Sequence, residues 1–251
     1  MSLIWYTQSM SITELNQATW EELKNSAQEL PLATKHYPSR GQTEVQKLYA
    51  TAKGKIFLKK VSARNHQDCQ VDPKTGSLAE REFWAYKLAH HIGLNIPELT
   101  LLDQNTTLQH WLDIPDAHTF KQNLGPLTLN PLNVFECGLF DWVTGQIDRH
   151  DANYLYDFVN GKIILIDSAH CFLKHDGGLP DYLSLFETVH KNQISKKQDS
   201  QICESIKTLR LNILADMIPL KNPEESKALF LRLDKICKVN TAKELIALYR
   251  N

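Results

Sequence analysis

The chain has 251 residues, of which 42% are hydrophobic and 23% charged, and its formal net charge is −1. This composition is ordinary for a globular protein with one large domain or with two lobes that share a cleft. A net charge near zero gives no electrostatic footprint for nucleic acid. No apolar run approaches the roughly 18 residues that span a bilayer. We therefore expect neither a nucleic-acid partner nor a transmembrane segment.

The cysteines and the first residues predict where the protein works. The five cysteines are odd in number and widely spaced, and no CxxC pair occurs, which favours free thiols in a reducing compartment. The N-terminus has no basic segment followed by an apolar core, so no signal peptide is expected. The predicted location is the cytoplasm, or a host cytosol into which a small bacterial effector is delivered.

The first predicted element is a helix over residues 11–29. Ser11 to Glu14 match a capping box, and apolar residues recur at helical spacing until Pro31. We interpret residues 1–30 as an extension that packs on the main body of the protein.

Two antiparallel strands are predicted next, near Glu44–Ala50 and Lys55–Val61, with a turn at Lys53-Gly54 between them. Lys59 and Lys60 lie at the end of the second strand. Because the faces of a strand alternate, one of these lysines should point inward and the other outward. An inward lysine in a cleft would pair with phosphates, whereas the alternative is two solvated surface lysines.

The short loop before these strands contains Ser39, Gly41 and Gln42. A small, glycine-containing loop can place backbone N–H groups against phosphates. The segment has neither a GxGxxG nor a Walker A pattern, so a plain surface turn is an equally good interpretation.

A polar stretch, residues 62–77, predicts a loop, and the pattern from Leu78 to Ile92 predicts a helix. Glu82 lies beside the apolar face of this helix, where it can reach a buried lysine of the sheet. Glu80 is the competing candidate, and an ordinary exposed carboxylate is the alternative.

Further strands at Leu99–Leu102 and Thr107–Ile114 complete a small sheet with one helix. Residues 116–131 look like a loop. The segment Leu132–Thr144 is apolar nearly all round, which predicts a buried helix. Four more helices are expected, at residues 182–194, 200–217, 223–236 and 241–250.

A β-hairpin is predicted from Tyr154 to Asp167, because two strand-like runs flank Asn160-Gly161. Asn-Gly favours a two-residue type I′ turn. That turn would set Tyr154 opposite Asp167, so Asn153 and Asp167 would meet at the open end of the hairpin.

Asp148 lies on the short loop that leads into this hairpin, so three oxygen-bearing side chains are expected in one place. Carboxylate and amide oxygens suit Mg²⁺. An Asp, an Asn five residues later and a second Asp after a hairpin is the order in which kinases carry a base and two metal ligands.

The segments FDWVTGQIDRHDANYLY and ILIDSAHCF resemble the catalytic core of HipA-like kinases and of the phosphatidylinositol 3-/4-kinase group. These proteins share a D-R-H-x-x-N loop and, after a hairpin, an I-D-x-x-H or I-D-x-G motif. Upstream, EREFWAYKLAHHIGLNIPE is similar to the family's αC helix, and KGKIFLKK to its lysine-bearing strand. The similarity covers about residues 37–175.

This resemblance implies an α+β, two-lobe protein-kinase-like fold. A small antiparallel sheet with the αC helix would form an N-lobe over residues 31–115. A mainly helical C-lobe would follow over residues 116–251.

The resemblance also implies roles for individual residues. Asp148 would be the catalytic-loop aspartate, with Lys59 and Glu82 as the Lys–Glu pair, and Asn153 and Asp167 would hold Mg²⁺ or Mn²⁺. His150 would add to charge stabilisation, or would be a loop histidine bonded to the backbone. The residues implied in ATP binding are Ser39, Gly41, Gln42, Lys59, Trp111, Leu112 and Asp113.

Two departures from the family pattern stand out. The glycine that usually follows the metal-binding aspartate is replaced in Asp167-Ser168-Ala169-His170, and the phosphate loop is poor in glycine. Neither departure removes a charged catalytic group. The resemblance therefore implies an active ATP- and Mg²⁺-dependent kinase that transfers the γ-phosphate to a hydroxyl group.

A protein Ser/Thr acceptor is favoured over a phosphoinositide headgroup. A lipid kinase should carry basic residues after the metal-binding aspartate, and here Lys174 and His175 are followed by Asp176 and Asp181. An ATP-binding pseudokinase that acts as an interaction module is one alternative. A metal-dependent hydrolase is another, and its candidate ligands are Asp148, His150, Asp151, Asp167 and His170.

Overall fold

The computed structural model describes residues 11–32, 45–173 and 220–238, together with residues 200, 204, 240, 241, 244 and 247. The fold is α+β, with a five-stranded antiparallel sheet followed by helices and a two-stranded hairpin. The helices are α1 (Gln17–Asn25), α2 (Ala63–Asp68), α3 (Leu78–His91), α4 (Ala117–Asn123), α5 (Pro131–Thr144) and α6 (Pro223–Cys237). The strands are β1 (Gln28–Leu30), β2 (Val45–Thr51), β3 (Gly54–Lys60), β4 (Leu99–Asp103), β5 (Thr106–His110), β6 (Tyr154–Asp157) and β7 (Lys162–Leu165).

The five-stranded sheet has the order β1-β2-β3-β5-β4, so β3 lies at its centre. Thr51 pairs with Gly54, which puts the turn at Ala52-Lys53, one residue earlier than expected. Both predicted strands of this hairpin are confirmed, although Glu44 lies outside the described residues. The position of β3 places Lys59, paired with Thr107, in the interior of the sheet.

The N-terminal helix is shorter than the sequence pattern suggested. It begins after Asn16, whose Oδ1 accepts a hydrogen bond from the backbone N of Thr19 at 3.1 Å. The capping box predicted at Ser11 to Glu14 is therefore wrong, because Asn16 and Thr19 form the capping box of this helix five residues later.

The segment after α1 contributes an edge strand that the sequence analysis missed. β1 pairs with β2, with Glu29 opposite Tyr49. Trp20 of α1 packs edge-on against Tyr49, with ring centroids 5.5 Å apart. The N-terminal segment thus covers one face of the sheet and extends its edge. The residue boundaries of the two lobes stay a prediction.

Two segments expected to be loops contain short helices. In α2, the side chain of Ser62 caps the backbone N of Asn65. In α4, the Asp116 carboxylate caps the backbone N of Thr119 at 2.8 Å. Neither helix exceeds seven residues, which is too short to show a helical repeat of apolar residues. The capping residues were therefore the only local signal in the sequence.

The two long helices that frame the site match the predictions. In α3, Ser77 and Glu80 form a reciprocal capping box, so the carboxylate of Glu80 is used at the helix start. α5 begins after the cap residue Asn130 and ends at Gly145. Gly145 has φ 65°, in the left-handed region that glycine adopts most readily at a helix end.

The register predicted for the C-terminal hairpin is wrong. Tyr154 pairs with Leu165, and Asp157 pairs with Lys162, so the loop contains four residues instead of two. Only Gly161 of the Asn160-Gly161 pair has positive φ, which excludes a type I′ turn. The Asp157 carboxylate accepts bonds from the backbone N of residues 159 and 160, which favours the wider loop.

The shift amounts to two residues, so every side chain keeps its face of the hairpin. Tyr154 does not face Asp167, but the backbone N of Ile166 donates to the carbonyl of Asn153 at 3.3 Å. The ends of the two strands therefore still meet, as the site requires.

The largest hydrophobic core lies between α3, α5, α6 and the β6–β7 hairpin. It includes the fully buried rings of Phe135, Phe140, Trp142 and Phe172. The helix predicted at 223–236 is confirmed by α6. Those predicted at 182–194, 200–217 and 241–250 lie outside the described residues, apart from isolated positions. In the described part of the chain, no helix is both long and apolar enough to cross a membrane.

Candidate active site

Lys59 lies between two carboxylates that come from distant parts of the chain. Its Nζ is 3.3 Å from Oε2 of Glu82 on α3 and 2.5 Å from Oδ1 of Asp167, just after β7. The Lys59 side chain is only 9% exposed, whereas Lys60, next along the strand, is exposed. Strand alternation thus turns Lys59 into the cleft between the sheet and the helical part.

The charge of Lys59 and those of the two carboxylates, Glu82 and Asp167, affect one another's pKa values. Burial alone would lower the pKa of Lys59, but the carboxylates of Asp167 and Glu82 raise it above its ordinary value. Loss of water would raise the pKa of Asp167, yet Lys59 outweighs this effect and lowers it. Burial raises the pKa of Glu82, and Lys59 offsets this only in part. Lys59 and Asp167 are therefore charged at neutral pH.

Asp148 lies on the loop between α5 and β6, with 44% of its side chain exposed. Nδ2 of Asn153 donates to the Asp148 carbonyl at 2.6 Å, and the backbone N of Asp148 donates to Oε1 of Gln146 at 3.3 Å. Asn153 is buried, and its Nδ2 is engaged by the loop. This arrangement leaves the Oδ1 of Asn153 as an oxygen donor for a cation.

Arg149 is a structural residue of the site that the sequence analysis missed. It is fully buried and forms an ion pair with Asp141 of α5 at 3.0 Å. Its guanidinium also donates to the carbonyls of Asn153 and Ile166, at 2.6 and 2.5 Å, and to Oγ of Ser168 at 2.8 Å. One side chain therefore joins the loop that carries Asp148 to the segment that carries Asp167. Asp141, one of two charged residues in a mostly apolar helix, was the available signal.

Asp167 adopts a backbone conformation that is uncommon for a residue with a side chain. Its φ is 49°, in the left-handed region that aspartate tolerates better than most residues. Nε2 of Gln146 donates to the Asp167 carbonyl at 3.2 Å. The following residue, Ser168, uses its hydroxyl as an acceptor for Arg149, so the residue that replaces the expected glycine has a defined partner.

Two histidines lie beside Asp148. Nδ1 of His170 is 3.4 Å from Oδ2 of Asp148, and its Nε2 is 3.3 Å from Sγ of Cys69. Burial raises the pKa of the Cys69 thiol to about 11. His150 is 56% exposed, and its Nδ1 accepts a bond from the backbone N of Ala152. His150 is thus a loop histidine bonded to the backbone, and its Nε2 is 3.8 Å from Oδ1 of Asp148. The contact of Cys69 with His170 had no signal in the sequence.

The cleft next to Lys59 has a volume of about 500 Å³, counting its open mouth. Of the residues implied in ATP binding, Trp111 and Leu112 line it together with Lys59. Asp113 forms an exposed ion pair with Lys55 at 2.7 Å and is not part of the lining. Ser39, Gly41 and Gln42 lie outside the described residues. The apolar walls also include Phe57, Pro97, Leu155 and Ile166.

Asp167, which lines the cleft, and Asn153, whose carbonyl is bonded to the neighbouring Ile166, offer oxygen donors that fit a hard cation. Mg²⁺ is usually bound by one or two carboxylates and by oxygen atoms of a phosphate substrate, and Asp167 and Asn153 offer a carboxylate and an amide oxygen. Among the described residues, no group of three or more His, Cys, Asp or Glu side chains could hold a metal ion without a substrate.

No protein-family model matches the sequence, and no curated protein matches it. Solved structures do match. The Helicobacter pylori proinflammatory kinase CtkA gives a TM-score of 0.46 at 12% identity, over 88% of this chain and 95% of that chain.

The complex of Chaetomium thermophilum Rio2 kinase with ADP/Mg²⁺ and phosphoaspartate gives 0.37 at 16% identity, over 84% of this chain and 68% of that chain. The Mycobacterium tuberculosis Rv3197–erythromycin complex gives 0.36 at 11% identity, over 78% and 71%. All three TM-scores lie below 0.5, and we draw no functional argument from them. The arrangement of sheet, buried Lys–Glu pair and hairpin described above is a protein-kinase-like fold.

Proposed function

We propose that the protein is a phosphotransferase, an ATP- and Mg²⁺-dependent kinase that transfers the γ-phosphate to a hydroxyl acceptor. One observation carries the proposal: the buried ammonium of Lys59 lies between Glu82 and Asp167 at the inner end of a cleft. Burying Lys59 and Glu82 is costly unless the two groups pair closely, and the half-exposed Asp167 adds a second carboxylate partner for Lys59. Ionisable groups whose pKa values are shifted by burial and by a specific charged partner cluster at functional sites.

The nucleotide would bind with its base between the apolar walls of the cleft and its phosphates towards Lys59. The cleft combines apolar walls with a few polar and charged side chains, as small-molecule sites do. Glu82 would hold Lys59 in place when the ammonium turns from Asp167 to the phosphates. Asp167 would then be released to bind the cation.

Asn153 and Asp167 would hold Mg²⁺, or Mn²⁺, through their side-chain oxygens. When bound, the ion supplies charge neutralisation on the transferring phosphates. Arg149 holds the backbone of both segments, through the carbonyls of residues 153 and 166, so the two ligands stay at a fixed separation. Such positioning provides most of the catalytic effect in phosphoryl transfer.

Asp148 would orient the acceptor hydroxyl and take up its proton. Its carboxylate is half exposed, so an acceptor can reach it, and its loop is held by Asn153 and Gln146. A general base must lie within hydrogen-bonding reach of the proton that it removes. The acceptor that the sequence favours is a protein Ser or Thr, with a phosphoinositide as the alternative, in line with the resemblance to HipA-like and phosphatidylinositol 3-/4-kinases.

Transfer from γ-³²P-labelled ATP tests the proposal. The wild-type protein should label itself or casein in the presence of Mg²⁺, and Asp148→Asn should lower the rate by about 10² to 10⁴, the usual share of general base catalysis. Asp148→Asn should keep its affinity for Mg-ATP, because Asp148 is not proposed to bind the nucleotide.

A second arm of the experiment, with phosphatidylinositol vesicles, distinguishes a lipid acceptor from a protein acceptor. Labelling of the vesicles but not of protein would favour a lipid kinase. Nucleotide binding without transfer to any of these acceptors would identify a pseudokinase. Hydrolysis of p-nitrophenyl phosphate with Mg²⁺ and no ATP would contradict the kinase proposal.

A further inference from the structure

Arg81, the residue before Glu82 on α3, is fully buried outside the cleft. Its guanidinium donates to three carbonyls: Gly76 at 2.9 Å, Cys171 at 3.3 Å and Phe172 at 3.0 Å. It also donates to Oε2 of Glu225 on α6 at 2.7 Å. One side chain therefore joins four segments of the protein.

Two of these segments carry charged groups of the candidate site. Glu82 follows Arg81 directly on α3 and faces Lys59. Cys171 and Phe172 follow Asp167 on a segment whose far end is also bonded to α5, through the backbone N of Phe172 and the carbonyl of Thr144 at 2.6 Å. A shift of Arg81 would thus displace the two segments that carry Glu82 and Asp167, the carboxylates paired with Lys59.

Glu225 neutralises this buried guanidinium. It is 6% exposed, and the structure places no other carboxylate, among the described residues, within ion-pair distance of Arg81. Removing one partner of a buried ion pair leaves the other as an uncompensated charge, which is strongly unfavourable. Without Glu225, Arg81 would have to move towards water or towards another carboxylate.

A second contact of α6 reaches the other side of the site. Arg232 lies two turns after Glu225, on the same buried face of the helix. Its Nε donates to the carbonyl of Val143 at 2.8 Å. The guanidinium covers Gly145 so closely that an added Cβ would lie 2.8 Å from Nη2. α6 thus reaches the segment after Asp167 through Arg81, and it directly contacts the start of the loop that carries Asp148.

We propose that Glu225 is a positioning residue of the active site, which acts through Arg81 on Glu82 and on the segment of Asp167. The inference rests on the proposed function, since it concerns the site at which Mg-ATP would bind. It assigns a role to a residue of α6 that lies far along the chain from every motif of the catalytic core.

Calorimetric titration with Mg-ATP tests this role. Glu225→Gln should weaken binding about tenfold, because Glu82 and Asp167 lose their fixed positions. Glu224→Gln is the matched control: the same chemical change in the same first turn of α6, at an exposed position. It should alter the dissociation constant less than twofold. Equal affinity of Glu225→Gln and the wild type would overturn the proposal.

A double-mutant cycle separates positioning from general damage to the fold. Because Glu225 acts in part through Glu82, the loss of affinity in Glu225→Gln/Glu82→Gln should be smaller than the sum of the two single losses, since coupled residues are not additive. Additive losses would overturn the proposal. All titrations are made well below the melting temperature of each variant, as checked by circular dichroism.

Glu225→Asp covers the case in which Glu225→Gln does not fold. It keeps the charge but shortens the reach to Arg81 by one methylene group. We expect an intermediate loss of affinity that is again non-additive with Glu82→Gln, and an unchanged or additive result would overturn the inference. If the wild-type protein itself does not bind Mg-ATP, the proposed function fails and this inference fails with it, a result distinct from all the others.

Discussion

At the scale of single residues, the ionisation of Glu82 depends on Lys59. Burial raises the pKa of Glu82, and the Lys59 ammonium counteracts this rise. Without Lys59, the folded-state pKa of Glu82 should rise further above its unfolded value of about 4.3. A carboxyl group with a raised folded pKa binds its proton more tightly in the folded state. Its contribution to stability is therefore present at low pH and is lost as pH rises through the folded pKa.

Lys59→Met should accordingly melt at a lower temperature at pH 8 than at pH 5.5, relative to the wild type at the same two pH values. Burial lowers the pKa of His66 and of His110, so these two groups make the folded state more stable at higher pH. This contribution is the same in the wild type and in all variants. Lys59→Met/Glu82→Gln should lose the part of this pH dependence that comes from Glu82, while Asp167, whose pKa Lys59 also lowers, supplies the rest. If the single and double variants show the same pH dependence, Glu82 is not the group that Lys59 controls.

At the scale of helices and strands, the close packing of α6 on the end of α5 can be tested at Gly145. Gly145 and Gly93 both have positive φ, 65° and 78°. An added Cβ at Gly145 would meet the Arg232 guanidinium at 2.8 Å, whereas nothing lies within 4 Å at Gly93. A left-handed conformation costs a residue with a Cβ about 1–2 kcal/mol.

Gly93→Ala should therefore lower the free energy of unfolding by about 1–2 kcal/mol, as measured by urea denaturation. Gly145→Ala should cost more, because the buried guanidinium of Arg232, which is held at Nε by the carbonyl of Val143, must also move. Equal losses for the two variants would show that α6 does not press on the end of α5 as described.

The sequence predicted elements well where a local signal was strong. α3 and α5 have apolar faces and well-defined caps, and both were predicted to within a residue or two. The hairpin was predicted, but its register was not, because the Asp157 carboxylate widened a loop that Asn160-Gly161 alone would have kept at two residues. β1 has only three residues, and it is a strand because it pairs with β2. No local pattern in the sequence could therefore reveal it.

At the scale of the whole molecule, the candidate site depends on contacts between residues far apart in sequence. The orientation of Lys59 followed from strand alternation, but its choice of Glu82 over Glu80 was decided by the capping box at Ser77. The contacts of Arg81 with Glu225 and of His170 with Cys69 join residues 144 and 101 positions apart. No spacing rule reaches across such distances, so only the folded structure could reveal them.

The binding of ATP in a metal-dependent way is the central claim, and it can be tested by thermal melting. The protein is melted with Mg²⁺ alone, with ATP and EDTA, and with Mg²⁺ plus ATP, and Asp167→Asn is melted in parallel. Asparagine tolerates the left-handed backbone of Asp167, so this variant removes the charge with little strain. A ligand present at 100 times its dissociation constant stabilises the folded state by about 2.7 kcal/mol, which is a visible shift.

We predict that Mg-ATP raises the melting temperature of the wild-type protein by several degrees, that ATP with EDTA raises it less, and that Asp167→Asn loses the difference. Stabilisation by Mg²⁺ alone with no further effect of ATP, or an Asp167→Asn variant that responds to Mg-ATP as the wild type does, would contradict the kinase account.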